Sequence, residues 1–543
     1  MLSRSKIDKL VKILRKDLRR SMRMHIPGFP KIYYASFLLR DTQWFNTWAS
    51  GGSTFRRRSD RTRNIYCDIR VGSYRYDQVT QGGLLDNDEE VESYNHVSVP
   101  IDDRDYSGLR LCIWRLTDAK YREAIAAYNE RKSSSISTVD QNREFASFTK
   151  LPPIKSITYS RAEYVDEEKW VRFCKNISKW ISDLPKVTSG WAEFDSSQVT
   201  KIFVNSEGST IVQHSKVFSL CATLRHLTSQ GLNLEQEIVF NCTTQRDFPT
   251  TKEFKALILE KHRKLLELAS AKRIHSFSGP ALLYPIPAGV LLHEALGHRL
   301  EGSRLLSTSE GQTFKGQIGK KIIKAGITVR DDPTLKKFNG KGCIGAYDYD
   351  DEGTPAQDTL LVEDGFLKGF LSTRAAFEKR GFKPNGHARA KKHERPISRM
   401  AVLIAEGSKP LSMEELKRKL IREVKRQRKP FGIIIYETMG GETETSEYDF
   451  QAFSGEISYA KLVYPDGSEV CVRGVDFVGT PLQALNNIIA IGDTQELHNG
   501  YCGAESGFIP VSTISPAILL SNLELQSKRE ELVTQYILPK PRV

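Results

Sequence analysis

The sequence of 543 residues has no apolar run long enough to cross a membrane. Its longest such run, from Ala281 to Leu292, is interrupted by Pro285 and Pro287, whereas a membrane-spanning helix needs about 20 consecutive apolar residues. The N-terminal segment is charged throughout and lacks the apolar core of a signal peptide. We therefore expect a cytoplasmic protein with no membrane partner.

The sequence also lacks paired cysteines. It contains 8 cysteines, and no two of them form a C-x-x-C pair, which excludes the usual zinc-ribbon and thiol-redox motifs. In a cytoplasmic chain of this length we expect all of them to stay reduced. Seven are predicted to be small buried apolar side chains, and Cys502 is considered separately below.

The charge is unbalanced, with a formal net value of +14. Much of the excess lies in Met1–Met24 and in Lys417–Lys429. Such runs can bind nucleic acid, but no nucleic-acid-binding motif accompanies them. We interpret them as solvated helix faces and expect no nucleic-acid partner; a nucleic-acid-associated regulator stays an alternative that rests on charge alone.

A chain of this length exceeds the size at which one core stops growing, so we expect two domains. We predict an N-terminal α+β domain over residues 1–248, with a basic helix at 6–24, and a C-terminal domain over residues 249–543. The boundary precedes a helix that a capping box at Thr250–Glu253 opens.

The fold class is predicted to be α+β in both parts. In the N-terminal part, aromatic and β-branched runs such as Ile32–Leu39 and Asn64–Val71 predict a mostly antiparallel sheet, accompanied by helices. After Gly302, many short apolar segments alternate with Asp/Gly-rich turns. This pattern predicts a curled or barrel-like sheet in the C-terminal domain.

The most informative segment has the pattern H-E-x-x-x-H, formed by His293, Glu294 and His298. It differs from the zinc-peptidase motif H-E-x-x-H by one extra residue. Residues five apart on a regular α-helix diverge by about 140°. Both imidazoles can meet one metal only if the helix carries a π-bulge or breaks, and Gly297 relaxes the backbone at that point. We therefore predict a distorted helix and a metal site.

A catalytic zinc site has a third protein ligand and leaves one position for water. Cys502 lies between two glycines, in a loop that suits a close backbone approach. His498 is a rival four residues earlier. Glu301 is a further candidate, although its position three residues after His298 suits orientation of that imidazole better. Spacing alone does not choose among them.

Several motifs in this order resemble the TldD/PmbA family, the TldD-type zinc metallopeptidases formerly called modulators of DNA gyrase. The resemblance covers roughly residues 280 to 520. The matching segments are His293–Gly302 (H-E-A-x-G-H-x-L-E-G), Asp350–Pro355 (D-D-x-G-T-P), Leu360–Gly369, Asn385–Arg389 (N-G-x-x-R), Arg399–Met400, and Ile491–Gly503, which ends in C-G.

The resemblance implies that His293, His298 and Cys502 bind one zinc ion per chain and that Glu294 is the catalytic base. Arg399 belongs to a matched motif and, like Glu301 and His498, is expected near the ligands or on the substrate side. The family further implies an enclosed site for unfolded peptides, held by strand addition, and a homodimer or a heterodimer with a PmbA-like subunit. The alternative is a catalytically silent zinc-binding partner subunit. Iron also accepts such ligands, although thiolate with imidazole favours zinc.

Overall fold

The structure is a computed structural model that describes residues 1–79, 97–137, 145–307, 312–377, 382–391, 394–445, 452–528, 530, 532–536 and 538. Among the helices of these ranges, none combines the length and the apolar character needed to span a bilayer. The α-helices are α1 (Arg4–Ser21), α2 (Ser107–Ser137), α3 (Glu167–Asp183), α4 (Thr251–Ser270), α5 (Pro285–Ala295), α6 (Met413–Arg426) and α7 (Pro481–Asn486). Short 3-10 helices span Gln245–Asp247, Gly297–Leu300 and Gly302–Leu306.

The first sheet has seven strands, all from the N-terminal part of the chain. In space the order is β3-β2-β1-β5-β6-β4, and β7 also pairs with β6. Every pair is antiparallel except β4 with β6. This confirms the predicted antiparallel sheet with helices. The strands are β1 (Ile32–Ser50), β2 (Ser53–Val71), β3 (Val97–Ser98), β4 (Lys155–Ile157), β5 (Ser189–Asn205), β6 (Thr210–Leu227) and β7 (Asn233–Cys242).

Helices cover this sheet through apolar faces. Leu10, Leu14 and Leu18 of α1 are buried, while most of its basic side chains are exposed, as expected for an amphipathic helix. The structure has a basic helix at Arg4–Ser21, where the sequence predicted one over residues 6–24, and Met22 is its C-cap residue. The capping box at Thr250–Glu253 opens α4, also as predicted.

The first hairpin is much longer than its apolar segments indicated. β1 and β2 stay paired from Ile32 opposite Val71 to Ser50 opposite Ser53. Their distal halves are rich in polar residues, yet they remain in the sheet because β5 pairs with β1 along the same stretch, from Ser36 to Ser50. Both strands were therefore predicted at the correct place, but the first was predicted to end too early and the second to begin too late.

The second sheet has twelve strands and belongs to the C-terminal part. Five of them close into a ring, in which β9 pairs with β18, β18 with β19, β19 with β21, β21 with β23, and β23 with β9. The sheet contains β8 (Lys272–Arg273), β9 (Ser276–Leu283), β10 (Ile327–Asp331), β13 (Thr359–Glu363), β14 (Phe366–Leu367), β17 (Val402–Gly407), β18 (Gly432–Thr443), β19 (Phe453–Val463), β20 (Glu469–Arg473), β21 (Val475–Gly479), β22 (Ile488–Cys502) and β23 (Ile509–Ser527).

Two small hairpins accompany this sheet. They are formed by β11 (Lys337–Phe338) with β12 (Lys341–Gly342) and by β15 (Ala388–Arg389) with β16 (Ile397–Ser398). Together with the closed ring, they confirm the α+β class and the barrel-like character predicted for the C-terminal part.

Helix α5 packs against five strands of the second sheet, namely β9, β18, β19, β22 and β23. It is buried on nearly every side, which is characteristic of a helix that is apolar all round. Gly289 allows a close approach to β23, since a Cβ at this position would lie 3.0 Å from Thr513 Cγ2. The ring therefore fixes the helix that carries His293 and Glu294.

Buried ion pairs join the two parts of the chain. The carboxylate of Asp351 lies 3.0 Å from Arg40 Nη2 and 2.7 Å from Lys201 Nζ. Arg374 reaches from the C-terminal part to Glu207, with 2.6 Å between Nη2 and Oε1. Such buried pairs need both partners, so they favour one relative position of the two sheets.

A glycine in the ring provides a test of its packing. A Cβ at Gly455 of β19 would lie 1.8 Å from Cζ of the fully buried Phe477, its cross-strand partner on β21. We expect Gly455→Ala to destabilise the fold by about 1–3 kcal/mol, because the ring has no room to move. Gly440→Ala is the control, since a Cβ there meets nothing within 4 Å. The free energy of unfolding in urea would measure both, and equal stabilities would contradict this account of the ring.

Candidate metal centre

The predicted distortion of the H-E-x-x-x-H helix is confirmed. Helix α5 ends at Ala295, and a 3-10 turn over Gly297–Leu300 carries His298. The distortion is a break, not a π-bulge. A Cβ at Gly297 would lie 2.0 Å from Met400 Sδ. Glycine at this position therefore leaves room for the buried thioether.

The break brings two imidazoles and one thiol together. Cys502 Sγ lies 3.2 Å from His293 Nε2 and 3.3 Å from His298 Nε2. The three candidate ligand atoms all lie within 4.8 Å of one another. The two imidazole rings are nearly perpendicular, with centroids 4.9 Å apart, so their Nε2 atoms can point at one position.

The donor set fits a zinc ion. Tetrahedral zinc with ordinary Zn–N and Zn–S bonds separates a nitrogen and a sulfur ligand by about 3.6 Å, slightly more than the two distances observed. Burial raises the pKa of the Cys502 thiol, but the imidazoles of His298 and His293 outweigh this and hold it well below its ordinary value. The two imidazoles therefore favour the thiolate, which is the metal-binding form of cysteine.

Glu301 contacts the candidate ligand His298, and Arg399 contacts the candidate ligand Cys502. Glu301 Oε2 lies 3.1 Å from His298 Nδ1, so the opposite nitrogen, Nε2, faces Cys502. Arg399 Nη2 donates to the Cys502 carbonyl at 2.8 Å and to Sγ at 3.2 Å. Glu301 thus contacts the side of the imidazole away from the thiol, where a carboxylate orients a metal-binding histidine.

Arg304 completes this arrangement and was not found from the sequence. Its Nε donates to Glu301 Oε2 at 3.0 Å, and its guanidinium also contacts Glu505. Burial raises the pKa of Glu301, but His298, Arg304 and Arg399 together lower it to about 2. The i,i+3 spacing from Glu301 to Arg304 was the available signal, and such pairs are common on helix surfaces.

Glu294 lies beside the three-residue cluster and outside it. Its Oε2 is 3.8 Å from His298 Nε2, and its side chain is 9% exposed. Gly441 of β18 packs directly on it, since a Cβ there would lie 2.9 Å from Glu294 Cγ. A carboxylate beside a metal position can accept and return a proton.

His498, the rival ligand, does not join the cluster. It lies on β22 opposite Thr513 and is exposed. The two-residue period of a strand puts His498, Gly500 and Cys502 on one face. The His498 imidazole packs against Gly500, where a Cβ would lie 3.2 Å from His498 Nε2. His498 therefore lies on the open side of the cluster.

Comparison with known proteins relates this part of the chain to metallopeptidases. Residues 277–527 match the family model described as the PmbA/TldA metallopeptidase C-terminal domain. A protein of Methanothermobacter thermautotrophicus named metalloprotease is 28% identical over 63% of this chain and 70% of its own length. A zinc metalloprotease TldD homolog of Saccharolobus solfataricus is 24% identical over 45% of this chain and 51% of its own length.

Several other curated relatives are likewise matched over about half of their length. Among solved structures, TldE from Thermococcus kodakarensis has a TM-score of 0.60 at 13% identity, covering 96% of this chain and all of that one. At this identity the likeness establishes a shared fold over both parts of the chain.

Removal of the carboxylate behind His298 should weaken metal binding. Glu301→Gln keeps the side-chain volume but removes the charge that orients Nδ1, and we expect about 10–100-fold weaker zinc binding. Glu505→Gln is the matched control, because Glu505 shares the partner Arg304 and contacts no candidate ligand in the described chain. Competition with a zinc chelator would measure both affinities; equal affinities would show that Glu301 does not position His298.

The low pKa of the Cys502 thiol should be visible in its reactivity. In metal-free protein we expect iodoacetamide to modify Cys502 before the cysteines whose thiol pKa burial raises, and zinc should protect it. Those internal controls are Cys67, Cys174, Cys221, Cys242, Cys343 and Cys471. Peptide mass spectrometry would locate the modification. Equal modification with and without zinc would argue against Cys502 as a ligand.

Proposed function

Since the chain belongs to the TldD/PmbA family, we propose that it is a zinc-dependent peptidase that hydrolyses unfolded peptides. His293, His298 and Cys502 are the proposed zinc ligands, and Glu294 is the proposed general base. The observation that carries this proposal is the meeting of two imidazoles and one thiol, from segments about 200 residues apart, beside a carboxylate that is not part of the cluster.

The identity of the metal is proposed from the donor set. Thiolate with imidazole favours zinc over harder cations, which prefer oxygen ligands. The name of the Saccharolobus solfataricus relative also contains zinc. When bound, a zinc ion supplies Lewis acidity that activates water and polarises the carbonyl of a peptide bond.

The residues of the chain supply positioning and proton transfer. The Glu294 carboxylate accepts the proton of the attacking water and returns it to the leaving amine nitrogen. Glu301 keeps His298 Nδ1 engaged, and Arg399 stabilises the negative charge on Cys502. His498, on the open side of the cluster, is placed to meet the substrate.

An open strand edge beside Glu294 supports a peptide as the substrate. Strand β18 pairs with β9 only at Ile433–Ile435. Beyond Ile435, no strand of the described chain pairs with this edge of β18, which continues past Glu294 at Gly441. An extended peptide can add to such an edge through backbone hydrogen bonds, which requires an unfolded segment.

The competing function is a catalytically silent partner that holds zinc for structure. A structural zinc site normally has four protein ligands, whereas the cluster within the described residues has three. Glu301 is engaged at the far nitrogen of His298, and His498 stays outside. A carboxylate at position 294 would have no role in a closed structural site, so the arrangement favours the peptidase.

We also propose the division of the chain and its assembly. The boundary is placed between residues 248 and 249, just before α4. The two sheets fall on either side of it. The proposed active form is a dimer, formed by two copies of this chain or by this chain and a PmbA-like subunit. TldE, which shares the fold over 96% of this chain, supports such a pairing.

Glu294→Gln provides the direct test of the peptidase. We expect one zinc per chain in both proteins by mass spectrometry, because Glu294 is not a ligand. Cleavage of an unstructured peptide library should fall by about 10²–10⁴-fold, because proton transfer is lost. Glu496→Gln, at an exposed position on β22, is the control and should cleave normally.

Absence of metal from the wild-type protein would overturn the proposed ligands. Zinc without cleavage in the wild-type protein would contradict a peptidase active as the isolated chain. Repeating the assay after addition of a PmbA-like subunit would then decide between an obligate heterodimer and the silent zinc-binding partner.

A further inference from the structure

A cavity of about 280 Å³ lies between the two sheets, apart from the three-residue cluster. One wall comes from β1, β5 and β6 of the first sheet. The other wall comes from the C-terminal part and includes Tyr347 and Pro510. Tyr501 and Phe508 also line it, and they are 50% and 67% exposed. Exposed aromatic side chains at the edge of a cavity are typical of a binding site.

The cavity lining carries more positive than negative side chains. It contains Arg40, Lys201, Arg389 and Lys391 but only two carboxylates, Asp350 and Asp351. Asp351 is shared by two cations, with Arg40 Nη2 at 3.0 Å and Lys201 Nζ at 2.7 Å. One carboxylate therefore pairs with two cations, the buried Arg40 and the partly exposed Lys201.

Asp350 does not balance the remaining charge. Its Oδ1 accepts hydrogen bonds from the backbone N–H groups of Glu352 and Thr354, and its Oδ2 accepts one from Ala388. Both oxygens are thus used to hold the turn at the Asp350–Pro355 motif. In the described chain, no ion pair joins this carboxylate to a cation of the cavity.

Arg389 is a buried cation whose hydrogen bonds go to backbone carbonyls. It is 8% exposed, and its guanidinium donates to the backbone carbonyls of Met400 and Pro510 at 2.5 and 2.7 Å. It also stacks over the Tyr347 ring at 5.0 Å. No carboxylate of the described chain lies within 4.0 Å of it, whereas buried arginines are normally paired.

We propose that this cavity binds a carboxylate, held by Lys201 and Arg389, with the apolar remainder of the ligand against Tyr501 and Phe508. A carboxylate can accept charge-assisted hydrogen bonds from an ammonium and a guanidinium together, and each Nη of Arg389 keeps a second N–H beside the one that donates to a backbone carbonyl. The ligand is an organic acid or a peptide with a free carboxylate.

The position of the cavity links it to the proposed active site. Tyr501 immediately precedes Cys502, and Pro510 faces Tyr501 across the β22–β23 ladder. A carboxylate can come from a peptide that extends from the metal centre or from a free acid. A peptide carboxylate as the ligand rests on the proposed function, whereas binding of a free acid in the cavity does not.

Binding of matched ligands tests the proposal without turnover. Calorimetry on the full chain as purified would compare an N-acetylated Ala/Ser hexapeptide with a free C-terminal carboxylate, the same peptide as its C-terminal amide, and glutarate. We expect the free acid to bind about tenfold or more tightly than the amide. Lys201→Met should remove this difference, because it deletes the cation and keeps the side-chain length.

Lys155→Met is the matched control, since Lys155 is exposed on β4 and does not line the cavity; it should bind like wild type. Lys391→Gln, at an exposed position of the lining, should weaken the preference and serves if Lys201→Met does not fold. No preference for the free acid in wild type, or a preference that survives both cavity variants, would overturn the proposal. If the metal coordinated the peptide carboxylate instead, the preference for the free acid would persist in both Lys201→Met and Lys391→Gln.

The glutarate arm identifies the source of the carboxylate. Lys201-dependent binding of glutarate shows that a free acid occupies the cavity, whereas Lys201-dependent binding of the peptide alone shows a substrate carboxylate. Failure of the peptidase proposal is separable, since absent cleavage with an intact Lys201-dependent preference leaves the cavity site standing.

Discussion

The packing of an apolar helix against the closed ring of five strands is the constraint on which the rest of the structure depends. Helix α5 is buried against β9, β18, β19, β22 and β23, and such burial is the dominant favourable contribution to folding. Because the ring cannot open without exposing this helix, His293 and Glu294 have a fixed direction. The ends of β22 and β23 belong to the same sheet, so Cys502 has a fixed position as well.

Two close contacts convert this scaffold into a site. Met400 packs against Gly297 where a Cβ would lie, and the 3-10 turn that follows α5 carries His298. Gly441 lets β18 pass directly over Glu294. Each glycine makes room for a neighbouring group, so the geometry depends on the absence of a side chain as much as on the presence of the polar groups. The three candidate metal ligands, the Glu294 carboxylate and the strand β18 thus lie close together.

Charge is arranged differently on the two sides of Cys502. Around the cluster, Glu301 is balanced by Arg304 and Arg399, and the thiolate is favoured by two imidazoles. In the cavity beyond Tyr501, cations exceed carboxylates and Arg389 relies on backbone carbonyls. Buried charges of this kind are costly unless a partner is supplied. The first region holds the donor atoms of a candidate metal site, and the second has more cations than carboxylates.

The sequence alone determined the features set by local chemistry. The five-residue histidine spacing required a broken helix, the pattern at Thr250–Glu253 required a capped one, and the alternation in β segments indicated sheets. Only the tertiary structure decided that Cys502 meets the imidazoles while His498 stays outside, that Arg304 stabilises Glu301, and that β1 continues to Ser50. Backbone periodicity and capping act over a few residues and are determined by side chains that are neighbours in the sequence. The position of Cys502 depends on hydrogen bonds between strands far apart in the chain, which no local pattern specifies.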